Sequence, residues 1–415
     1  MTSVTNWNQV PNSDALQRTF AGVEVQAGVP VTPTAKWYGA LNLTPKRTLT
    51  DREEYGGTFF GDYSAVFGPW EIDGTYEQAL SYEDFPMLLR HGLVGGIAGV
   101  SDGAATPGYL YEHKPTPDVI DLDAATVENG APGMPFRASC LVFPEFTIKG
   151  DIDNAEAAWQ WSSRVLACTQ DLLPSVTGVA TGGSTSTVVK TGAGWSVDAY
   201  AGSYVRMKTG TAGNIGQMRR ILSNTATVLT IAGLFPATVA NLDTFEISAA
   251  FTGTVSDRTR ETISAPGTKL FIDTGTLGTT QQLGRFISFE VTYMGNVKLK
   301  RFMENVDSYA PRLDQGKKRV RGTVRVEFDN RDQWDAWKAG TAQKLRILQQ
   351  GSVIDGVGPT KKYAQIDVFN AVWSDLTKDK RDNNLTKTLG FKGLVDATEA
   401  SPFEISVKNK NSANP

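Results

Sequence analysis

Gly74-Thr75-Tyr76-Glu77 belongs to a short alternating run that gives way to Tyr82-Glu83-Asp84-Phe85-Pro86-Met87-Leu88-Leu89-Arg90 and closes at Gly92. Far downstream the outline returns. Gly322-Thr323-Val324-Arg325-Val326-Glu327-Phe328 is followed by Asn330-Arg331-Asp332-Gln333-Trp334-Asp335-Ala336-Trp337-Lys338 and closes at Gly340. Each copy spells a strand, a tight corner and one short helix, and a unit written twice predicts two related β-rich halves. Such a unit, with no catalytic constellation around it, suits a protein that repeats itself in space.

The alternation fixes the faces of both strands, because successive side chains point to opposite sides. In residues 70–77, Trp70, Ile72 and Tyr76 share one face, and Glu71, Asp73, Thr75 and Glu77 the other. In the second copy Val320, Val324, Val326 and Phe328 alternate with Arg321, Thr323, Arg325 and Glu327. The first helix has Asp84 at its N-cap, Pro86 in the first turn and Phe85, Leu88 and Leu89 on one side. The second offers Asn330 and Gln333 as a capping box, with Trp334 and Trp337 one turn apart.

Working outward, residues 1–35 are polar and carry Pro11, Pro30 and Pro33, which reads as an extended N-terminal arm. Residues 36–175 form the first half, in which Phe146 and Ile148 alternate with Glu145, Thr147 and Lys149, and residues 155–165 read as a strand in preference to a helix. Residues 176–249 change character to threonine, glycine and short β-branched runs. They read as a small all-β module inserted at the surface of the host fold, with a linker at 178–186. Residues 250–400 form the second half, with strands at Leu270-Phe271-Ile272-Asp273 and through Phe289, Val291 and Tyr293. Residues 401–415 are a polar tail, in which Phe403-Glu404-Ile405-Ser406-Val407 is able to pair as a last edge strand.

The composition narrows the class. A chain of 415 residues holds two or three domains, and 40% hydrophobic with 20% charged residues excludes a mostly disordered chain. Glycine is abundant at 41 residues and long helical periodicity is scarce, so the expected fold is all-β with two short helices. The formal charge of −3 is interspersed. Lys317-Lys318-Arg319 leads into a strand and makes no basic stripe of the kind a nucleic-acid binder carries. Two cysteines, Cys140 and Cys168, make neither a disulfide framework nor a metal spacing. The first eleven residues lack the regions of a signal peptide, and the apolar stretch 92–100 is too short to span a membrane. A soluble protein with no membrane partner is expected.

No catalytic residue is expected either. His91 closes a short helix and His113 lies in a turn-like segment, with no serine or cysteine partner evident for either. The acidic stripe of Glu71, Asp73 and Glu77 has the spacing of an exposed strand face rather than of a buried acid–base pair. Asp151-Ile152-Asp153-Asn154 lacks the glycine and terminal glutamate of a calcium loop. Gly95-Gly96 and Gly182-Gly183 lack the Lys-Ser or Lys-Thr of a phosphate loop. The expectation is no enzyme, no cofactor and no metal.

Trp70-Glu71-Ile72-Asp73-Gly74 and Ser81-Tyr82-Glu83-Asp84-Phe85-Pro86-Met87-Leu88-Leu89, with the Gly95-Gly96 that follows, resemble the central strand and helix of the major tail tube proteins of long-tailed bacteriophages. Ala265-Pro266-Gly267-Thr268-Lys269-Leu270-Phe271-Ile272-Asp273, ahead of a strand at 286–293, resembles the same family in the second half. The insert resembles a small β module found in phage tail and fibre proteins. The resemblance is one of pattern and covers most of residues 36–398. It implies duplicated tail-tube β-sandwich units, each with a flanking helix, whose inner strands join those of neighbouring subunits into a continuous barrel. Rings of such subunits stack, enclose the tape-measure protein and conduct DNA during ejection. The location implied is the virion tail, assembled in the host cytoplasm.

Family rings usually hold six tube domains, so two units per chain imply a ring of three with pseudo-sixfold symmetry. A ring of six follows if the halves make one enlarged domain. On this reading Glu71, Asp73, Thr75, Glu77, Arg321, Thr323, Arg325 and Glu327 are the lumen-facing candidates. An acidic or mixed wall lets DNA slide where a basic wall would hold it. The two arginines depart from a uniformly repulsive wall, and ion pairing between adjacent strands is the expected compensation. Two other functions compete: a tail accessory that binds carbohydrate or a host receptor through the insert, and a glycan hydrolase.

Overall fold

A computed structural model describes residues 17–53, 62–104, 107–117, 122–130, 135–154, 157–248, 251–252, 255, 257–282, 285–300, 313–327, 331–354, 360–381 and 384–412. The first part of the chain supplies β1 (Arg18–Val23), β2 (Ala35–Trp37), β3 (Ala40–Glu53), β4 (Asp62–Ala79), helix α1 (Phe85–Gly92), β5 (Val100–Ser101) and β6 (Tyr109–His113). There follow β7 (Ala125–Gly130), β8 (Phe136–Asp151), β9 (Gln160–Ala167) and β10 (Thr169–Leu172). The insert supplies β11 (Val176–Val179), β12 (Gly182–Gly183), β13 (Thr187–Val189), β14 (Tyr204–Thr209), β15 (Met218–Asn224), β16 (Val228–Ile231) and β17 (Thr244–Ile247). The remainder supplies β18 (Lys269–Asp273), β19 (Phe286–Met294), β20 (Val297–Leu299), β21 (Leu313–Gln315), β22 (Arg319–Glu327) and helix α2 (Asp332–Ala339). It ends with β23 (Gln343–Val353), β24 (Lys361–Arg381), β25 (Asn384–Gly393) and β26 (Phe403–Asn409). The chain is all-β with large antiparallel sheets, and no described helix is long and apolar enough to cross a membrane.

The main sheet contains one unbroken antiparallel run of eight strands in the order β3-β4-β9-β8-β19-β22-β25-β24. Its two middle members, β8 and β19, join strands from the two ends of the chain. Two long strands of the run, β8 and β24, also serve a second layer. Residues 136–141 of β8 pair with β7 and β10, while residues from Val142 onward pair with β9 and β19. In the same way residues 363–368 of β24 pair with β23 and β26, and residues 371–381 pair with β25. A register irregularity accompanies the change of partner in each strand, between Val142 and Glu145 in β8 and between Val368 and Ala371 in β24, with a further one in β24 between Trp373 and Asp375. Such irregularities bend a strand and increase its twist, and the first contains Pro144, which has no N–H to give to a ladder.

The core lies between these layers and beneath α1. The alternation in β4 buries Ile72 and Tyr76 in the same core as Trp161, Phe146 and Tyr293, with the Tyr76 ring against Trp37 and Phe143. Helix α1 is buried along almost its whole length, from Phe85 to Leu89 and again at His91 and Gly92. A strap at 257–263 crosses its start: Tyr82 N–H donates to the Glu261 carbonyl, and Ile263 N–H to that of Leu80. Arg260 pairs with buried Asp84 at 3.3 Å, and Lys362 of β24 pairs with Glu83 at 2.6 Å and Glu261 at 3.0 Å. The insert has a separate seven-stranded sheet and its own core around Val205, Ile221, Leu229 and Phe245.

Several local expectations need correction. Within the segment expected as an arm, Arg18–Val23 is β1, held between β2 and β7, because Phe20 and Ala21 are buried there; residues 1–16 lie outside the described residues. The expected C-terminal tail contains β26, paired on both sides by β24 and β6 rather than lying at an edge. The expected linker at 178–186 includes β11 and β12, and at Gly178 a side chain would press on the Phe245 ring at 2.5 Å. Asp84 makes no side-chain cap on α1; it accepts from Ser81 Oγ at 2.7 Å. Of the expected capping box of α2, Asn330 lies outside the described residues; Arg331 is the N-cap, and Gln333 is turned inward to accept from buried Lys387.

Gly74 and Gly322 each sit where a Cβ would strike a neighbouring strand, 2.1 Å from the Asn42 carbonyl oxygen and 2.2 Å from that of Glu290. Gly322→Ala is therefore expected to cost about 2 kcal/mol, the usual range for overpacking, read as a lowered urea midpoint at unchanged slope. Val176 pairs with Ile247, so the two ends of the insert meet. Replacing residues 177–246 by a short Gly-Ser linker is expected to leave the remaining fold intact, with a cooperative thermal transition by circular dichroism.

Candidate functional site

The candidate site is the polar face of the eight-stranded run. Residues directly opposite each other in neighbouring strands share a face, so the registers trace it from one edge to the other. Asp73 lies opposite Thr44, and Thr75 lies opposite Asn42 and Arg164. Ser162 lies opposite Glu77 and Thr147, and Thr147 lies opposite Thr292. Thr292 faces Arg321, Glu290 faces Thr323, and Ser288 faces Arg325. Arg325 then faces Thr388, which faces Thr377 on β24. All eight residues predicted from the sequence, Glu71, Asp73, Thr75, Glu77, Arg321, Thr323, Arg325 and Glu327, therefore lie on one continuous surface. Glu71, Thr75, Glu77, Arg321 and Thr323 are exposed and the other three half-buried.

The face is mixed in charge, and ion pairs run across its strands. Arg164 donates from Nη2 and Nε to the two oxygens of Asp73, at 2.8 and 3.1 Å. This hydrogen bonding holds the Asp73 carboxyl below its ordinary range against the opposing pull of burial. Arg325 donates to Asp379 at 2.8 Å across the intervening β25, and Asn384 donates to Glu327 at 3.3 Å. At the centre of the run, the hydroxyls of Thr147 and Thr292 meet at 2.9 Å. Lys149 and Glu290 stand opposite each other one pair further along.

The ends of the run differ from its middle. Among the described residues, β4 is the strand that pairs with β3, and β25 the strand that pairs with residues 372–381 of β24. One strand edge therefore stands open at each end. Beside the β24 edge, α2 buries only Gln333, whereas α1 over the middle of the run is enclosed. Trp334 and Trp337 of α2 are half-buried with ring centroids 5.2 Å apart, and Lys378 Nζ lies 5.3 Å from the Trp334 ring.

Sequence reading placed Glu145, Lys149 and Glu290 on polar strand faces without joining them to the candidate surface. It missed Arg164, Asp375, Thr377 and Asp379 altogether. Along residues 375–380 charges fall on both faces, since Lys378 and Lys380 occupy the side that is apolar elsewhere, so the period of two is obscured. The groups weighed for chemistry make the following contacts. His91 and His113 are buried, and each Nδ1 meets a backbone carbonyl, that of Asp123 at 2.7 Å and that of Val94 at 3.2 Å. Asp151 accepts from the Asp153 N–H in a turn, and Asp153 pairs with Arg381 at 2.6 Å. Among the described residues, no group of three His, Cys, Asp or Glu side chains is placed to hold a metal ion.

Burial lowers both histidines from the ordinary 6.5 to about 4. The folded chain then stays neutral at these positions between pH 6.5 and 4 while the unfolded chain takes up protons. Stability is fully present above pH 6.5 and falls as the pH drops through that window, by about 1.4 kcal/mol per pH unit for each histidine. Urea midpoints measured from pH 7 to pH 4.5 are expected to fall, with a shallower fall for His113→Gln. No protein-family model matches the chain, and no curated protein shows significant sequence similarity to it.

Proposed function

We propose that this chain is the structural subunit of a bacteriophage tail tube, a self-assembling protein whose rings stack into a conduit in the virion tail. The observation that carries this reading is the eight-stranded run, which among the described residues carries one polar face from edge to edge and leaves a strand edge open at each end. An open edge presents rows of hydrogen-bonding groups that another strand satisfies, and a cylinder closed by successive copies leaves none open. The run divides into β3-β4-β9-β8 and β19-β22-β25-β24, two sets of four with the same chain order and the same strand irregularity. Gly74 and Gly322 hold corresponding places in β4 and β22. Each set supplies one duplicated tube unit, so a ring of three copies has pseudo-sixfold symmetry.

The side of the run opposite the polar face is covered by the second layer and α1. Curling the run with its bulkier covered side outward leaves the polar face to line the bore. A wall of paired charges offers passing DNA no basic track, and the tape-measure protein occupies the same space before ejection. The subunit is made in the host cytoplasm and acts without enzymatic chemistry, cofactor or membrane.

Electron microscopy of the purified protein, screened over concentration and salt, tests this reading. Rings or tubes with threefold or pseudo-sixfold end views are expected; monomers under every condition overturn it.

A further inference from the structure

The junction in the middle of the run contains the register of a second junction. Gly74 lies opposite Leu43 and Val165, while Gly322 lies opposite Val291 and Phe391. Aligning these positions sets β3 over β19 and β9 over β25. Carried one strand further, Arg164 and Gly390 correspond, so their partners Glu145 and Asp375 correspond, and residues 145–151 of β8 overlie 375–381 of β24. The inner junction pairs Met294 with Glu145, Tyr293 with Phe146, Thr292 with Thr147 and Glu290 with Lys149. The two strands left open, β3 and the end of β24, are the counterparts of the two that meet there.

We propose that β3 of one copy pairs antiparallel with residues 375–379 of β24 in the next copy, in the register of the β8–β19 junction. Thr44 then faces Thr377, Lys46 faces Asp375, and Pro45 faces Leu376. The partner is a second copy of this chain, and the inference rests on the tube-subunit reading, to which it adds the residues and their register. Three features of the open edges support it. The threonine pair that meets at 2.9 Å in the inner junction is present at the corresponding open positions, Thr44 and Thr377. Lys46 and Asp375, both exposed, bring opposite charges together on the polar face. On the covered face Pro45 and Leu376 stand where Tyr293 and Phe146 pack with centroids 5.3 Å apart.

Helix α2 belongs to the same surface. In the inner junction α1 lies against β8 and is sealed, whereas α2 lies against β24 with Trp334 and Trp337 half-buried. A neighbouring copy seated on β24 covers these two rings. Pro45 supplies no N–H, so this junction carries at most one donor fewer than a full ladder if that position faces the partner.

Cysteine pairing in the full-length chain tests the register. Thr44→Cys with Thr377→Cys in one chain is expected to give disulfide-linked dimers and closed multimers on oxidation of assembled protein. Thr147→Cys with Thr292→Cys serves as the control that links within one chain. Assembled rings in which Thr44→Cys links instead to Asp375→Cys or Asp379→Cys, or to none of these, overturn the register and leave the tube reading standing. Failure to assemble in any form removes both. As a second measure that does not depend on a disulfide, Lys46→Asp and Asp375→Lys are each expected to lower the yield of rings several-fold, and the double variant to restore it. Additive losses in the double variant overturn the pairing.

Discussion

The ladder between β8 and β19 is the constraint on which the rest of the structure depends. Seven opposed pairs, from Glu145 with Met294 to Asp151 with Ser288, turn two sets of four strands into one sheet. The covered side of that ladder is apolar: Phe146 packs on Tyr293 and stacks on Trp161 with centroids 4.3 Å apart, and Phe289 meets Trp159 edge-on at 4.9 Å. Its free side is polar, with the Thr147–Thr292 contact at its centre. Gly150 is needed beside it, because a Cβ there would lie 2.5 Å from the Phe289 ring. Without this ladder each set of four would expose a second edge, and the polar face would be broken at its midpoint.

Around the ladder, ion pairs fix how the distant segments cross α1. Asp84 is buried beneath Arg258 and Arg260, and Lys362 reaches from β24 to Glu83 and Glu261. Buried charges cost much of what their attraction returns, so this cluster contributes little net stability while making any other seating of the strap expensive. Burial also sets the charge state of the two histidines. Desolvation keeps each neutral in the core against the opposing pull of its carbonyl contact, and each adds to the packing around α1, where the His91 ring lies 5.7 Å from Trp37.

The open edges carry the tension of the fold. Long edge strands invite non-specific pairing, and natural sheets restrain it with proline and charge. β3 has Pro45, Lys46 and Arg47 at its open stretch, and the end of β24 has Lys378, Asp379, Lys380 and Arg381. Those residues discourage arbitrary strands while remaining compatible with one complementary partner, which is the property a ring-forming subunit needs. The insert, with its own core, leaves and re-enters the host chain through the paired strands β11 and β17, so it adds a module without interrupting the run.

Local physics made part of this legible before any coordinates. Period-two alternation identified β4 and β22 and the side each turns to solvent, because burial on one side imposes apolar residues at every second position. The corner and short helix after each strand were legible for the same reason, from Pro86 and the spacing of Phe85, Leu88 and Leu89. The faces of β8 and β19 were readable as well, but not that they lie side by side. That pairing spans more than a hundred residues of chain, and nothing local in Thr147 or Thr292 names the other. β1 was read as part of an arm, and β26 as an edge strand of the tail, because a strand held between two neighbours draws its burial from them, not from its own composition. The inward turn of Gln333 was hidden on the same ground, since its partner Lys387 is a tertiary one. Sequence determined which side of each strand is wet; the long-range hydrogen bonding of the fold decided which strands adjoin, and so which edges remain open.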